Sequence, residues 1–207
     1  MENKIVENIE ISDTIFRNYD IRGVADTDPL EPNKQRLVDL TARQAWLIGM
    51  AYGTWLQRNS GSRIVAGRDN RRTSLDLSSG FIMGALSTGC EVIDIGLSTS
   101  PLVYFAVDEL KCDGGLMVTG SHNPMWSNGL KLCKKGYGTL VGSEILSLLD
   151  MIKNQDFARG NGQYKSDFSV RDVYVEEIKR RVRPALKKLK VVVDSGNATG
   201  GLLGLRI

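Results

Sequence analysis

Apolar and polar positions along the chain follow two alternating periods. Beyond Pro32, with Asn33 placed to cap, Leu37, Ala45, Ile48, Tyr52 and Trp55 recur at helical spacing until Asn59, Ser60 and Gly61 end the run, which predicts a long amphipathic helix. Ile64 to Ala66 is a short apolar run and reads as a strand. The polar loop GRDNRRTS (67–74) follows; Ser74 caps a second helix running to Leu86, and Gly89 stops it before the next strand, Val92 to Ile95. Strand, helix and strand joined by short connections make a βαβ unit, which implies a largely parallel sheet covered by helices.

The same alternation continues. Pro101 opens a helix through Leu110, Gly114 to Thr119 reads as a third strand, Leu130 to Leu132 as part of a fourth, and Ser143 to Lys153 as another helix. The polar, glycine-rich stretch NQDFARGNGQYKSD then reads as a linker. Val173 to Val182 is helical, and KVVVDSGNATGG reads as a buried strand entering a glycine-rich turn, with Ile207 one strand and a turn into a further α/β unit. No internal repeat or low-complexity tract interrupts this order.

Composition narrows the class. With 207 residues, 42% hydrophobic and 25% charged, the chain matches an ordinary globular protein. A net charge of +3 is mild, so composition alone argues for neither a nucleic-acid nor a membrane partner. The N-terminus lacks the order of a secretory signal and no long apolar stretch is present, which makes a cytoplasmic location the default expectation. Cys90, Cys112 and Cys133 are odd in number and sit among apolar neighbours, so buried reduced thiols are expected and no zinc site is readable.

The chemistry centres on TGSHNPMWSNGLKL (119–132), which sets Ser121 beside His122, the single histidine of the chain. A serine flanked by Gly120 on a turn at a strand end can present its hydroxyl outward while neighbouring N–H groups form an anion-binding nest; Ser121, Asn123 and Pro124 are equally good residues for a plain turn. Two other loops bring arginine: FRNYDIRG (16–23) with Arg17 and Arg22, and GRDNRRTS with Arg68, Arg71 and Arg72. The guanidinium fork suits phosphate oxygens, and loops at strand ends can converge on one cleft.

These motifs, in this order and followed by VVVDSGN (191–197), resemble the successive motifs of the α-D-phosphohexomutases, and are closer to the phosphomannomutase/phosphoglucomutase type than to the phosphoglucosamine mutases. The resemblance covers nearly the whole chain. It implies an α/β fold: a three-layer αβα domain with a mixed, largely parallel sheet over residues 1–155, a linker over 156–167, and a truncated second α/β unit over 168–207. It further implies that Ser121 holds and donates a phosphoryl group. His122 and Asn123 would shape and hydrogen-bond its loop, Lys131 would assist proton movement, and Arg22, Arg17 and Tyr19 would position substrate and phosphate in the cleft. Arg68, Asp69 and Arg72 are expected to support the loop. The implied reaction interconverts hexose 1-phosphate and hexose 6-phosphate, of mannose or glucose, through a phosphoserine and a hexose 1,6-bisphosphate, the latter also serving as activator.

Mg²⁺ is the implied cofactor, bound through the phosphoryl group on Ser121. The family's D-G-D-x-D-R metal loop is absent, and Asp26 with Asp28 reads as a solvated turn. The chain alone is therefore expected to be inactive, and its truncated second unit to associate with itself. Met125 and Trp126 depart from the usual loop. A serine hydrolase is disfavoured, since G-x-S-x-G is missing. The rival reading is a non-catalytic phosphate- or nucleic-acid-binding module using the basic segment EEIKRRVRPALKKLK (176–190).

Overall fold

The computed structural model describes residues 10–27, 36–136, 138–182 and 190–207. Strand β1 (Ile21–Val24) precedes α1 (Ala42–Arg58), β2 (Arg63–Arg68), α2 (Ser74–Ser87), β3 (Glu91–Leu97), α3 (Ser100–Glu109) and β4 (Gly114–Val118). Then come β5 (Ser127–Lys134), β6 (Gly138–Thr139), α4 (Ser143–Lys153), β7 (Tyr164–Ser166), α5 (Val170–Arg181) and the single turn α6 (Gly201–Gly204). The strands form one sheet in the order β1-β5-β4-β2-β3-β7, with β6 beside β5. The pairs β4–β2, β2–β3 and β3–β7 are parallel, whereas β5 is antiparallel to β1, β4 and β6. Only β5, among the described strands, runs against the rest.

Alternation along each strand sorts the core into two layers. Ile64, Ala66, Val92, Leu116, Val118, Leu130 and Leu132 face one cluster with residues of α1, α2 and α4, while Val65, Ile93, Ile95, Met117 and Cys133 face the other with α3 and α5. This is the period-two signature of a sheet covered on both faces, so the αβα layering and the mixed sheet are observed. Helices α1 and α2 approach through glycine: a Cβ on Gly84 would lie 2.0 Å from the Trp46 carbonyl oxygen, and one on Gly49 2.1 Å from that of Phe81. Tyr52 on α1 is buried against Phe81, with ring centroids 5.7 Å apart, and its hydroxyl donates to the Cys133 carbonyl at 2.6 Å. That bond satisfies the polar end of an otherwise apolar anchor.

Several expectations are corrected. The cap expected at Asn33 lies outside the described residues; α1 starts at Ala42, where Thr41 and Gln44 make a capping box. Leu37 is exposed and takes no part in the buried stripe. The stretch 156–167 is no free linker: Gly160 and Gly162 donate to the Ser87 and Leu86 carbonyls, Phe157 packs on the core, and β7 extends the sheet beside β3. Its glycines permit close approach, since a Cβ on Gly162 would lie 2.0 Å from the Cys90 carbonyl oxygen. Part of the segment beyond 168 serves the same core, for Val170, Val175 and Leu203 join the α3-side cluster. The buried strand expected at Val191 is not formed among the described residues: Val191 and Val192 are 72% and 92% exposed, because no strand lies alongside to pair with them.

Candidate active site

Parallel strands β2 and β4 are neighbours, yet the chain reaches β4 only after passing through β3 on the far side of β2. Helix α2 makes the first crossover on one face and α3 the second on the other. The chain therefore turns in opposite directions from the carboxyl ends of β2 and β4, which is where open α/β sheets form ligand crevices. GRDNRRTS leaves β2 there, TGSHNP leaves β4 there, and β5, running oppositely, starts there.

The serine loop is tightly determined. Ser121 has φ of 52°, a left-handed conformation that non-glycine residues enter at a cost, and its N–H donates to Thr119 Oγ1 at 2.8 Å. The Gly120 carbonyl accepts from the backbone and side-chain nitrogens of Asn123, each at 3.0 Å. Arg71 supplies most of the remaining support. Its Nη2 donates to the carbonyls of Ser121 and Asn123 at 3.0 and 2.7 Å, and its Nη1 to those of Pro124 and Ser127 at 2.7 and 2.9 Å.

Asp69, buried at the end of β2, links the two loops. It accepts from the Gly120 N–H at 3.3 Å and the Arg71 N–H at 3.0 Å, pairs with Arg71 Nε at 3.4 Å, and takes a short hydrogen bond from the Ser74 hydroxyl. Asn128, fully buried, donates to Thr73 Oγ1 and Ser74 Oγ at 3.0 and 2.9 Å. Buried donors thus find charged and neutral acceptors, as burial requires.

Ser121 and Asn123 line a cleft of about 400 Å³ together with Asp26, Asp69, Asn70, Arg71, Arg72, Met125 and the turn Gly196 to Ala198. Asn70 closes one side by donating to the Asn197 carbonyl at 2.8 Å. His122 is exposed at the loop apex. Lys131 is half-buried on β5, opposite Met117 of β4.

The cleft arginines fall differently from expectation. Arg22 is buried: its Nη1 donates to the Gly120 carbonyl at 2.7 Å while its Nε and Nη2 hold Asp20 at 3.1 and 2.6 Å. It braces the loop from within the fold, with its fork already occupied. Arg17 and Tyr19 stand exposed on the bend before β1 and are not among the cleft residues. Arg72 sits exposed on the rim, 3.5 Å from Asp26, and Arg68 reaches no further than the Asp69 carbonyl at 3.5 Å. Of the three expected loop supports, Asp69 does that work, and Arg71 and Asn128 join it. No spacing singles out Arg71 within the polar run Arg68 to Ser74; its role emerges only when β2 and β4 are side by side.

Comparison with known proteins gives the chain a family. The family model described as "Phosphoglucomutase/phosphomannomutase, alpha/beta/alpha domain I" matches residues 13–159. The chain belongs to this family. It is 36% identical over 93% of its length to the phosphomannomutase/phosphoglucomutase of Pseudomonas syringae pv. tomato, covering 38% of that protein. It is 35% identical over 91% of its length to the phosphoglucomutase/phosphomannomutase of Thermococcus kodakarensis, covering 41% of it. A crystal structure of a phosphoglucomutase/phosphomannomutase family protein from Burkholderia thailandensis superposes with a TM-score of 0.83 at 32% identity, over 95% of this chain and 42% of that one. The chain thus spans about two fifths of the length of the family members it matches.

Against this family background, two further features of the chain matter. Among the described residues no group of three or more His, Cys, Asp or Glu side chains is placed to hold a metal. The basic end of α5 is internally paired: Lys179 meets Glu176, and Arg180 and Arg181 both meet Glu177. Hydrogen bonds from Arg180 and then Arg181 bring the Glu177 carboxyl down to about 2. The rest of that basic run, 183–189, lies outside the described residues.

Proposed function

We propose that this chain provides the phosphoserine site of a phosphohexomutase that interconverts the 1-phosphate and 6-phosphate of glucose, mannose or both. One observation carries the reading: Ser121 is held in a left-handed turn at the crevice between β2 and β4, with the loop carbonyls drawn onto Arg71. Such a turn presents a hydroxyl to an incoming phosphosugar, and phosphoryl transfer asks a protein chiefly for in-line positioning and neutralisation of charge.

In the forward step the bond between phosphorus and Ser121 Oγ breaks as a sugar hydroxyl oxygen bonds to phosphorus. The hydroxyl proton must leave that oxygen, and Lys131, as the resemblance assigns, assists its departure. The resulting bisphosphate turns over, and Ser121 Oγ takes back the other phosphoryl group. Hexose 1,6-bisphosphate added from outside primes the serine. Arg72 and Asn123 at the cleft provide a cation and an amide for the sugar phosphate. Mg²⁺, when bound, would share the charge of the phosphoserine, which is mostly dianionic at neutral pH. The described side chains do not form a cation cage on their own, so Ser121 would be their one contribution to it.

The Glu177 carboxylate, already paired to both Arg180 and Arg181, makes the nucleic-acid reading of α5 the weaker one. No described helix is long and apolar enough to cross a membrane, and a cytoplasmic site of action fits a phosphosugar substrate. Incubation with glucose 1,6-bisphosphate followed by phosphopeptide mapping tests the proposal. Label is expected on Ser121 and absent from Ser121→Ala; label on another residue, or unchanged label in the variant, would defeat it.

A further inference from the structure

We infer that Arg71 is the positioning residue of the nucleophile loop: it collects the loop's carbonyl groups on one side, so that the opposite, N–H-bearing side faces the anion on Ser121. The identity of that anion rests on the phosphoserine reading above; the geometry of the strap does not.

Four carbonyl oxygens, those of Ser121, Asn123, Pro124 and Ser127, lie within 3.0 Å of the two terminal nitrogens of Arg71. In a planar trans peptide the C=O and N–H of one unit point in opposite directions. The peptides joining Ser121 to His122 and Pro124 to Met125 therefore aim the His122 and Met125 N–H groups away from Arg71. Turned the other way, the same carbonyls would set partial negative charge against a phosphate dianion. Oriented as they are, the amides make a nest for it.

Two features show that the arrangement is built for the guanidinium. A Cβ on Gly120 would fall 2.2 Å from Arg71 Cζ, so the glycine leaves room for the guanidinium beside the backbone. Asp69 grips Arg71 by backbone and side chain together, which fixes the direction of the fork. A lysine, with one nitrogen, cannot meet two pairs of carbonyls on separate donors.

Phosphoserine introduced genetically at position 121 of this chain gives a test that needs no substrate. Among the described residues, the other charged or titratable groups near it are Asp26, Asp69, Arg22, Arg72 and the neighbouring His122, with Lys131 on the phosphoserine reading; all are retained when Arg71→Lys is compared with the wild type. By ³¹P NMR, the wild-type second ionisation is expected below the ordinary value near ~6, with the His122 and Met125 amide resonances moving through it. In Arg71→Lys the midpoint should return upward by roughly one unit, a tenfold change in proton affinity, and the amide response should fade. In Arg71→Ala, added guanidinium should restore part of the shift. Identical titrations and amide shifts in the wild type and Arg71→Lys would overturn the inference, as would a folded Arg71→Ala that behaves as wild type. Should Arg71→Ala fail to fold, Arg71→Lys decides. The mutase reading is judged separately, by phosphopeptide mapping at Ser121, so the ³¹P comparison judges the strap independently of it.

Discussion

Arg22 Nη1 lies 2.7 Å from the carbonyl oxygen of Gly120, the residue directly before Ser121, although the two are far apart in sequence. The same guanidinium holds Asp20 through Nε and Nη2. Its removal leaves a buried carbonyl without its charged donor and a mostly buried carboxylate without its cation. Arg22→Ala should therefore lose about 1–3 kcal/mol of stability, read by urea unfolding, and Arg22→Lys should recover only part of it because the fork is lost. A wild-type unfolding midpoint for Arg22→Ala would place the side chain in solvent.

Lys131 makes the contrasting case. It is half-buried on β5 and no partner for its ammonium is seen among the described residues. Lys131→Ala is expected to change stability by no more than about 0.5 kcal/mol, as for an ordinary surface substitution. Loss of proton transfer should slow phosphoryl exchange on Ser121 by roughly 10²- to 10⁴-fold. Unchanged exchange kinetics would show that the residue has no part in the chemistry.

The α1–α2 contact gives a prediction independent of function. Gly84 faces the Trp46 carbonyl so closely that a methyl group would sit 2.0 Å from its oxygen. Both groups belong to helix backbones, so neither can move without its helix. Gly84→Ala should destabilise the fold by about 1–3 kcal/mol through overpacking, despite the better helix propensity of alanine. A raised melting temperature would show that the helices stand further apart.

Alkaline pH should weaken the fold through its thiols. Burial pushes the Cys133 thiol up to about 12 and the Cys112 thiol up to about 11, from an ordinary 9.0, and it raises the Tyr52 hydroxyl as well. Below the unfolded value both states keep the proton and stability is complete. As pH climbs from about 9 toward the folded values, the unfolded chain gives up protons that the folded chain retains, and stability falls. Unfolding free energy measured from pH 8 to pH 11 should decline across that window, with the thiols unreactive to alkylating reagents until the chain unfolds. Rapid labelling of all three cysteines in the folded protein at pH 8 would contradict their burial.

Much of the architecture was readable in the residue pattern. Helix α4 begins and ends where Ser143 and Lys153 predict, and β2 and β3 contain the apolar runs proposed for them, because burial on one or both faces imposes a local period on the residues themselves; β4 ends one residue short of the expected Thr119. Ser121 and Asn123 were legible for a related reason: the glycine, the serine and the proline that make a tight turn occupy one continuous stretch.

The partners of that turn depended on non-local pairing. Composition marked 156–167 as a linker, since its glycines look alike whether they loosen a chain or let it lie where no Cβ would fit, as Gly162 does with a Cβ position 2.0 Å from the Cys90 carbonyl oxygen. The valines at 191–193 have the pattern of a buried strand, but a strand is made by the strands beside it, and none lies there among the described residues. Arginines at 22, 71 and 72 carry identical charge in sequence. Only the assembly of the sheet in the order β1-β5-β4-β2 turned Arg22 inward to Gly120, spread Arg71 across four carbonyls and left Arg72 on the rim, because each guanidinium went to the unsatisfied acceptors within its reach.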